Sequence, residues 1–289
     1  MNLARAARPA RLRLIIITAV LAVATLVAVT AQAATAHASS SHVFRSGGGP
    51  KPTIVLEHGA WADASSWDKV IQRLQEDGFT VYAPPNPLRG VSYDSTYLKD
   101  FLSTIPGPIA LVGHSYGGFA ITNAATGNTN VKALVYVDAF IPAQGETLLG
   151  LSSAQPGSCI GGNPANVFNF VPYPDPPVTG DVDTYIKPSL VPSCFASGLP
   201  PSQAAVIAAT QRPLAASTLQ EPSGPPAWKT IPSWDVIGTA DKVLPPAEQL
   251  FMAKRAGAHI TDVNAGHLSM IADPEAVAQV IEQAAQATS

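Results

Sequence analysis

Residues 111–120 read LVGHSYGGFA, and the way this stretch folds decides how the rest of the chain is read. An apolar run from Ile109 to Val112 meets a glycine-rich turn, and the residues beyond it (Phe119, Ala120, Ile121, Ala124, Ala125) suit a buried helix. Gly113-His114-Ser115-Tyr116-Gly117 has the G-x-S-x-G spacing of a strand that turns sharply into a helix and lifts one serine hydroxyl out of the fold. Side chains flanking that serine would collide with the neighbouring strand and helix, which accounts for the glycines. The helix start also sets the backbone N–H of Tyr116 beside the hydroxyl, where it can donate to a developing negative charge. The competing reading is a glycine turn with an incidental serine, because five-residue patterns recur by chance. The partners of Ser115 elsewhere in the chain decide between the two.

Short β-rich runs recur on both sides of the turn: TIVLE (53–57), TVYA (80–83), IALVG (109–113), ALVYV (133–137), SWDVI (233–237) and ITDV (260–263). Between them, helical periodicity runs over residues 67–76, 93–102, 118–126 and 247–256. A last helix spans 274–287, with Pro274 in the first helical position behind Asp273. Strands alternating with helices predict an α/β domain over 51–289 with a mainly parallel sheet covered on both faces. Residues 141–230 break the alternation. They hold fifteen of the 27 prolines, and their one clear helical piece is near PPSQAAVIAATQ (200–211). Phe168, Phe170, Tyr173, Tyr185 and Phe195 favour an ordered cap over the C-terminal edge of the sheet, the alternative being a mobile linker.

Ligands of open parallel sheets bind outside the C-terminal strand ends. Ser115 follows IALVG, Asp241 follows SWDVI in GTADKVLPP, and His267 follows ITDV in NAGHLSM. A serine hydroxyl is a poor nucleophile at neutral pH. His267 would take its proton during attack and return it to the leaving group, and Asp241 would hold the imidazole in the right tautomer. A second donor for the oxyanion is expected from the loop after the first strand, EHGAW. Asp138, after ALVYV, is the rival acid. Among the other histidines, His58 reads as a residue shaping its loop, His114 as pointing away from the serine by strand alternation, and His259 as the start of an edge strand. Asp235 and Asp262 read as local polar positions within strands.

The N-terminus carries Arg5, Arg8, Arg11 and Arg13, then the sixteen residues LIIITAVLAVATLVAV, then the small and polar TAQAATAHASS. This order predicts a signal peptide over 1–38 with A-x-A sites ending at Ala33, Ala36 or Ala38, followed by a flexible lead-in at 39–50. The apolar run is short for a membrane span, which needs about twenty residues. A retained signal anchor is the alternative; otherwise a secreted protein with no stable membrane association is expected. Loss of the four arginines leaves thirteen basic against twenty acidic side chains, moving the net charge from −3 to −7, which makes nucleic acid an improbable partner. The only two cysteines, Cys159 and Cys194, share the proline-rich region and are expected to pair in an exported chain; two free buried thiols are the alternative. No dinucleotide fingerprint, phosphate loop or metal-ligand cluster is evident, so neither cofactor nor metal is expected.

HGAWADASSW (58–67), GHSYGG (113–118), GTADKVLPP (238–246) and AGHLSMIADP (265–274) together resemble the α/β-hydrolase superfamily, in which the triad also runs Ser, Asp, His along the chain. The likeness is closest to the branch of small carboxylesterases, plant methyl-ketone and salicylate-type methylesterases and hydroxynitrile lyases, and it covers most of 53–138 and 230–287. It implies that Ala60, after the His-Gly pair, supplies the second oxyanion N–H, with Trp61 as the fallback and its side chain lining or sealing the pocket. An epoxide hydrolase or dehalogenase resembling this fold would carry aspartate in place of Ser115. Hydroxynitrile lyases of the branch carry lysine where Leu268 stands. The resemblance therefore implies a serine esterase acting on a small-molecule ester. A cofactor-free lyase or haloperoxidase-like enzyme on the same triad, or a non-catalytic binding module, are the alternatives. Oligomeric state is not legible.

Overall fold

The computed structural model describes residues 51–174 and 178–288, so the expected signal peptide (1–38) and lead-in (39–50) lie outside the described residues. The chain runs through β1 (Thr53–Glu57), α1 (Asp68–Glu76), β2 (Val81–Tyr82), α2 (Val91–Ser103), β3 (Ile109–His114), α3 (Gly117–Ala124) and β4 (Val131–Val137). The insertion that follows holds α4 (Leu148–Ser152), α5 (Pro164–Val167), β5 (Phe168–Pro172), β6 (Val182–Ile186), α6 (Pro201–Ala209) and β7 (Leu214–Ala215). Then come β8 (Ser233–Gly238), α7 (Pro246–Ala256), β9 (His259–Val263), α8 (Ser269–Ala272) and α9 (Pro274–Ala287).

Six strands form one parallel sheet in the order β2-β1-β3-β4-β8-β9. Its register sets Glu57 against Gly113, His114 against Val137, Val137 against Val236 and Gly238 against Val263. The C-terminal ends of five strands therefore share one edge. β3 is buried along its whole length and β4 at every position but Lys132, as central parallel strands must be when both faces are covered. The helices pack as pairs, α1 with α9 and α2 with α3, which gives the expected α/β architecture with helices on both faces. Edge strand β9 is mostly exposed and begins at His259, whose ring lies 5.0 Å from that of Trp234.

The helix termini are closed by local chemistry and by one long-range contact. Asp273 caps α9 by accepting from the Ala276 N–H at 3.1 Å, with Pro274 in the first turn where no donor is needed. α2 lacks a local cap. Glu221, at the far end of the insertion, reaches across to accept from Val91 N–H and Ser92 N–H at 2.6 and 2.9 Å. Gly90 itself stands at φ 149°, a backbone conformation that side chains rarely adopt, and leaves room for Glu221 beside it.

The proline-rich insertion contains more regular structure than its sequence shows. Besides α6, it forms an antiparallel sheet in the order β5-β6-β7, together with the short helices α4 and α5. Prolines mask these strands from a propensity reading, yet Pro172 only closes edge strand β5, where a missing N–H costs little. Cys159 and Cys194 are disulfide-bonded, with Cα atoms 5.9 Å apart. No helix among the described residues is long and apolar enough to cross a membrane.

Candidate active site

Among the described residues, four non-glycine residues have positive φ: Trp61 (57°), Leu88 (60°), Ser115 (52°) and Asp138 (47°). Three of them sit in turns beyond β1, β3 and β4, on the shared edge of the sheet. Such conformations cost about 1–3 kcal/mol each and persist where the surroundings over-determine them, so strain here is concentrated at one place. The glycines around Ser115 answer to crowding rather than to φ. A Cβ on Gly113 would lie 2.7 Å from the Gly117 carbonyl oxygen, and one on Gly117 would lie 2.7 Å from that of Glu57.

The fold brings the three expected side chains into one hydrogen-bonded chain. Ser115 Oγ donates to His267 Nε2 at 2.8 Å, and His267 Nδ1–H donates to Asp241 Oδ2 at 2.8 Å. Asp241 is held in turn by Val243 N–H (2.7 Å) and Leu244 N–H (3.0 Å) on Oδ1 and by the Gln249 amide (2.8 Å) on Oδ2. Four donors, counting His267, fix the direction of this carboxylate. Burial alone would lower the affinity of His267 for a proton; the charge and hydrogen bond of Asp241, with a further contribution from Asp138, outweigh it and raise the pKa above 6.5. This is the arrangement that lets an imidazole accept the serine proton and carry it as a stabilised cation.

Around the hydroxyl, Ala60 and Tyr116 are both buried, and neither backbone N–H finds a protein acceptor among the described residues. The Tyr116 side chain is pinned from behind, its hydroxyl donating to Asp94 Oδ2 at 2.7 Å. Asp94 also accepts from Arg89 N–H, and its burial pushes its pKa up to about 6. Trp61 seals the site from the insertion side: its indole N–H donates to the Thr184 carbonyl of β6 at 2.9 Å, and its ring stacks on Phe168 at 5.2 Å.

The rivals of the triad occupy supporting positions. Asp138 does not touch His267 by hydrogen bond; Oδ1 accepts from Gly238 N–H (2.8 Å) and Oδ2 from Ser269 N–H (2.9 Å), so it ties the Asp241 loop to the His267 loop. Burial first, and then the charge of Asp241, push its pKa up to about 7. His58 is neutral: Asn86 N–H donates to Nε2, Nδ1–H donates to the Gly59 carbonyl, and burial drives its pKa down to about 4. His114 makes no bond to Ser115, but its ring is not remote, lying 4.9 Å from that of His267 and donating through Nε2–H to the His267 carbonyl at 2.9 Å. Asp235 departs from the sequence reading, since it is fully buried and neither carboxyl oxygen has a partner among the described residues.

One supporting residue escaped the sequence reading, and another was read there only as an aromatic of the cap. Gln249, on α7, orients Asp241, and no local pattern distinguishes it from an ordinary helical glutamine. Phe195 lays its ring 5.5 Å from the imidazole of His267. Its neighbour Cys194 was singled out, but the direction of the phenyl ring depends on the folded insertion. The disulfide belongs to the same support. Cys159 N–H donates to the Lys242 carbonyl at 2.7 Å and Ser158 Oγ to that of Val243 at 2.7 Å, so the bond links the Asp241 loop to the segment bearing Phe195.

A strained serine on a strand–helix turn, with histidine and aspartate from two later strand ends, defines a serine-type hydrolase architecture. Residues 54–280 match the alpha/beta hydrolase family, and the chain belongs to that family. A carbendazim-hydrolysing esterase of a Nocardioides species is 34% identical over 110 residues; the match spans 34% of this chain and 46% of that relative, less than half its length. The fold is shared with a pyrethroid hydrolase of Sphingobium faniae (TM-score 0.63, 22% identity, 82% of this chain and 98% of that one). It is also shared with polyneuridine aldehyde esterase (TM-score 0.67, 18% identity, 81% and 99%).

Proposed function

We propose that this protein is an exported serine hydrolase that cleaves a small carboxylic ester through an acyl-enzyme. The observation that carries the reading is the Ser115–His267–Asp241 chain, with both links at 2.8 Å. Ser115 Oγ attacks the ester carbonyl as its proton passes to His267, and the carbonyl oxygen becomes an oxyanion facing the N–H groups of Ala60 and Tyr116. Collapse breaks the C–O bond, and His267 gives the proton to the departing alkoxide. Water, deprotonated by His267, then attacks the acyl-serine; the acid leaves and Ser115 regains its proton. Every step uses the chain's own groups and water. Hydrolysis as the reaction is supported by the esterase relative.

Export is supported by the basic, apolar and small-residue order of residues 1–38 and by the disulfide, a bond that persists in oxidising compartments. Two measurements test the proposal. A fluorophosphonate should label wild-type protein at Ser115 and leave Ser115→Ala unlabelled, and that variant should lose ester turnover by at least about 10⁴-fold while remaining folded. Ester turnover surviving in a folded Ser115→Ala protein would sink the serine mechanism. Intact mass of protein recovered from the medium should place its N-terminus between Ala34 and Ser39, whereas an uncleaved chain in the membrane fraction would refute export by cleavage.

A further inference from the structure

The reacting atoms lie behind a wall. Ser115 is 2% exposed and His267 is fully buried. Phe195 covers the imidazole at 5.5 Å, and Trp61 meets Phe195 edge-on at 6.2 Å. On the other side of these two rings is a cleft of about 160 Å³, completed by Val206 and Ile207 of α6 and by Leu268 and Ile271. Leu268 directly follows His267, and Trp61 directly follows Ala60. One layer of side chains thus separates the cleft from the place where an ester carbonyl would be attacked.

The chemistry of the cleft is selective. Among the described residues its only charged lining residue is Asp63, one of whose oxygens accepts from Ser65 N–H at 2.7 Å, and no lysine or arginine lines it. An anionic group would meet no cation there, only neutral donors such as Gln203, and one repelling charge. A neutral hydrocarbon group would gain from burial against the apolar walls. Size sets a second limit. A protein cavity of about 150 Å³ lined by aliphatic and aromatic side chains takes up benzene, so this cleft matches one ring or roughly four to six carbons of chain. A larger open groove of about 680 Å³ runs along α2, but none of its lining residues belongs to the triad or to the wall.

The two wall rings are not equally held. Trp61 is fixed by its indole hydrogen bond to Thr184 and by its left-handed backbone. The Phe195 ring is held by packing contacts alone, so of the two it is the ring that can change rotamer without breaking a hydrogen bond. Building on the serine-esterase reading above, we propose that this cleft is the substrate's hydrocarbon subsite, admitting a single uncharged ring or short alkyl chain, and that Phe195 is the side chain that turns to connect it.

The test uses two ester series on the whole mature protein: 4-nitrophenyl acetate, butyrate, hexanoate, decanoate and benzoate, and the methyl, butyl and hexyl esters of acetic acid. Ile207→Trp fills the cleft and Ile207→Ala enlarges it. In at least one series, Ile207→Trp should lower the six-carbon to smallest-ester ratio of kcat/KM by at least about tenfold, the scale on which apolar pockets discriminate. Ile207→Ala should shift the optimum toward longer chains in the same series. If Ile207→Trp does not fold, the Ala variant decides alone. Ratios within about twofold of wild type in folded variants that still label at Ser115 would overturn the subsite while leaving the esterase reading intact. A wild-type protein that neither labels at Ser115 nor cleaves any ester overturns both.

Discussion

Two buried carboxylates compete for one histidine, and hydrogen-bond geometry separates their roles. Asp241 accepts directly from His267, whereas Asp138 accepts only from backbone N–H groups of the two loops. Asp241→Asn should reduce kcat/KM by about 10³–10⁴-fold, because an amide can present its own N–H to Nδ1 and favour the wrong tautomer. Asp138→Asn keeps one carbonyl acceptor and is expected to stay within about tenfold of wild type; steady-state kinetics on one ester compare the two, and the reverse order of losses would transfer the acid role to Asp138. The charge of Asp241 also fixes a pH dependence. Since His267 must be neutral to act as base and its pKa is raised above 6.5, activity should climb with pH through a limb centred above that value. In the residual activity of Asp241→Asn the limb should move to lower pH, and a limb unmoved by the substitution would count against the pairing. These three residues were legible because each directly follows an apolar strand in a loop of the right composition. Asp235 was misread for a related reason: strand alternation predicts a face but not whether a helix covers it.

The elements divide into those with local signatures and those without. β1, β3, β4 and β8 announce themselves as short apolar runs because both faces of a parallel strand are buried, and only their ends moved by a residue or two on folding. The second strand shrank to Val81–Tyr82, since it lies at the sheet edge with one neighbour. The insertion hid β5, β6 and β7 behind prolines, and its pairing depends on contacts far apart in sequence. What holds it in place is testable. The disulfide closes a 35-residue separation, for which the chain-entropy model gives a stabilisation of about 4 kcal/mol. It also joins the Asp241 loop to Phe195, so its loss should do more than lower the melting temperature. Cys159→Ala/Cys194→Ala is expected to melt lower and to show weakened discrimination among esters of different chain length. Calorimetry and the ester panel report the two effects separately. A variant that melts lower yet keeps the wild-type chain-length profile would reduce the bond to a staple remote from the wall.

For the molecule as a whole, the buried ionisable groups set stability against activity. Burial raises the pKa of Glu57, of Asp138 to about 7 and of Asp235 well above the usual carboxylate value. An acid whose pKa is raised in the folded state stabilises fully below its unfolded value of about 4 and loses that contribution as pH climbs through the folded one. His267, a base with a raised pKa, has the same sign, its contribution fading as pH rises through the folded value. His58 and His114 have the opposite sign, because burial lowers their pKa and their protonation penalises the fold below 6.5. Above 6.5 that opposing pair is neutral in both states and contributes no slope. The melting temperature is therefore expected to fall as pH rises above 6.5, over the range in which deprotonation of His267 raises activity. Asp235 isolates the cause, since its two oxygens are buried with no partner among the described residues and an ionised carboxylate there would be uncompensated. Asp235→Asn removes the titrating proton at nearly constant shape. Thermal melts of wild type and variant should lie closest near pH 4 and draw apart as pH rises, the gap still widening above pH 6.5 with the asparagine protein melting higher. Parallel curves would show that Asp235 is as ionised in the folded chain as in the unfolded one, and that the alkaline loss of stability arises elsewhere.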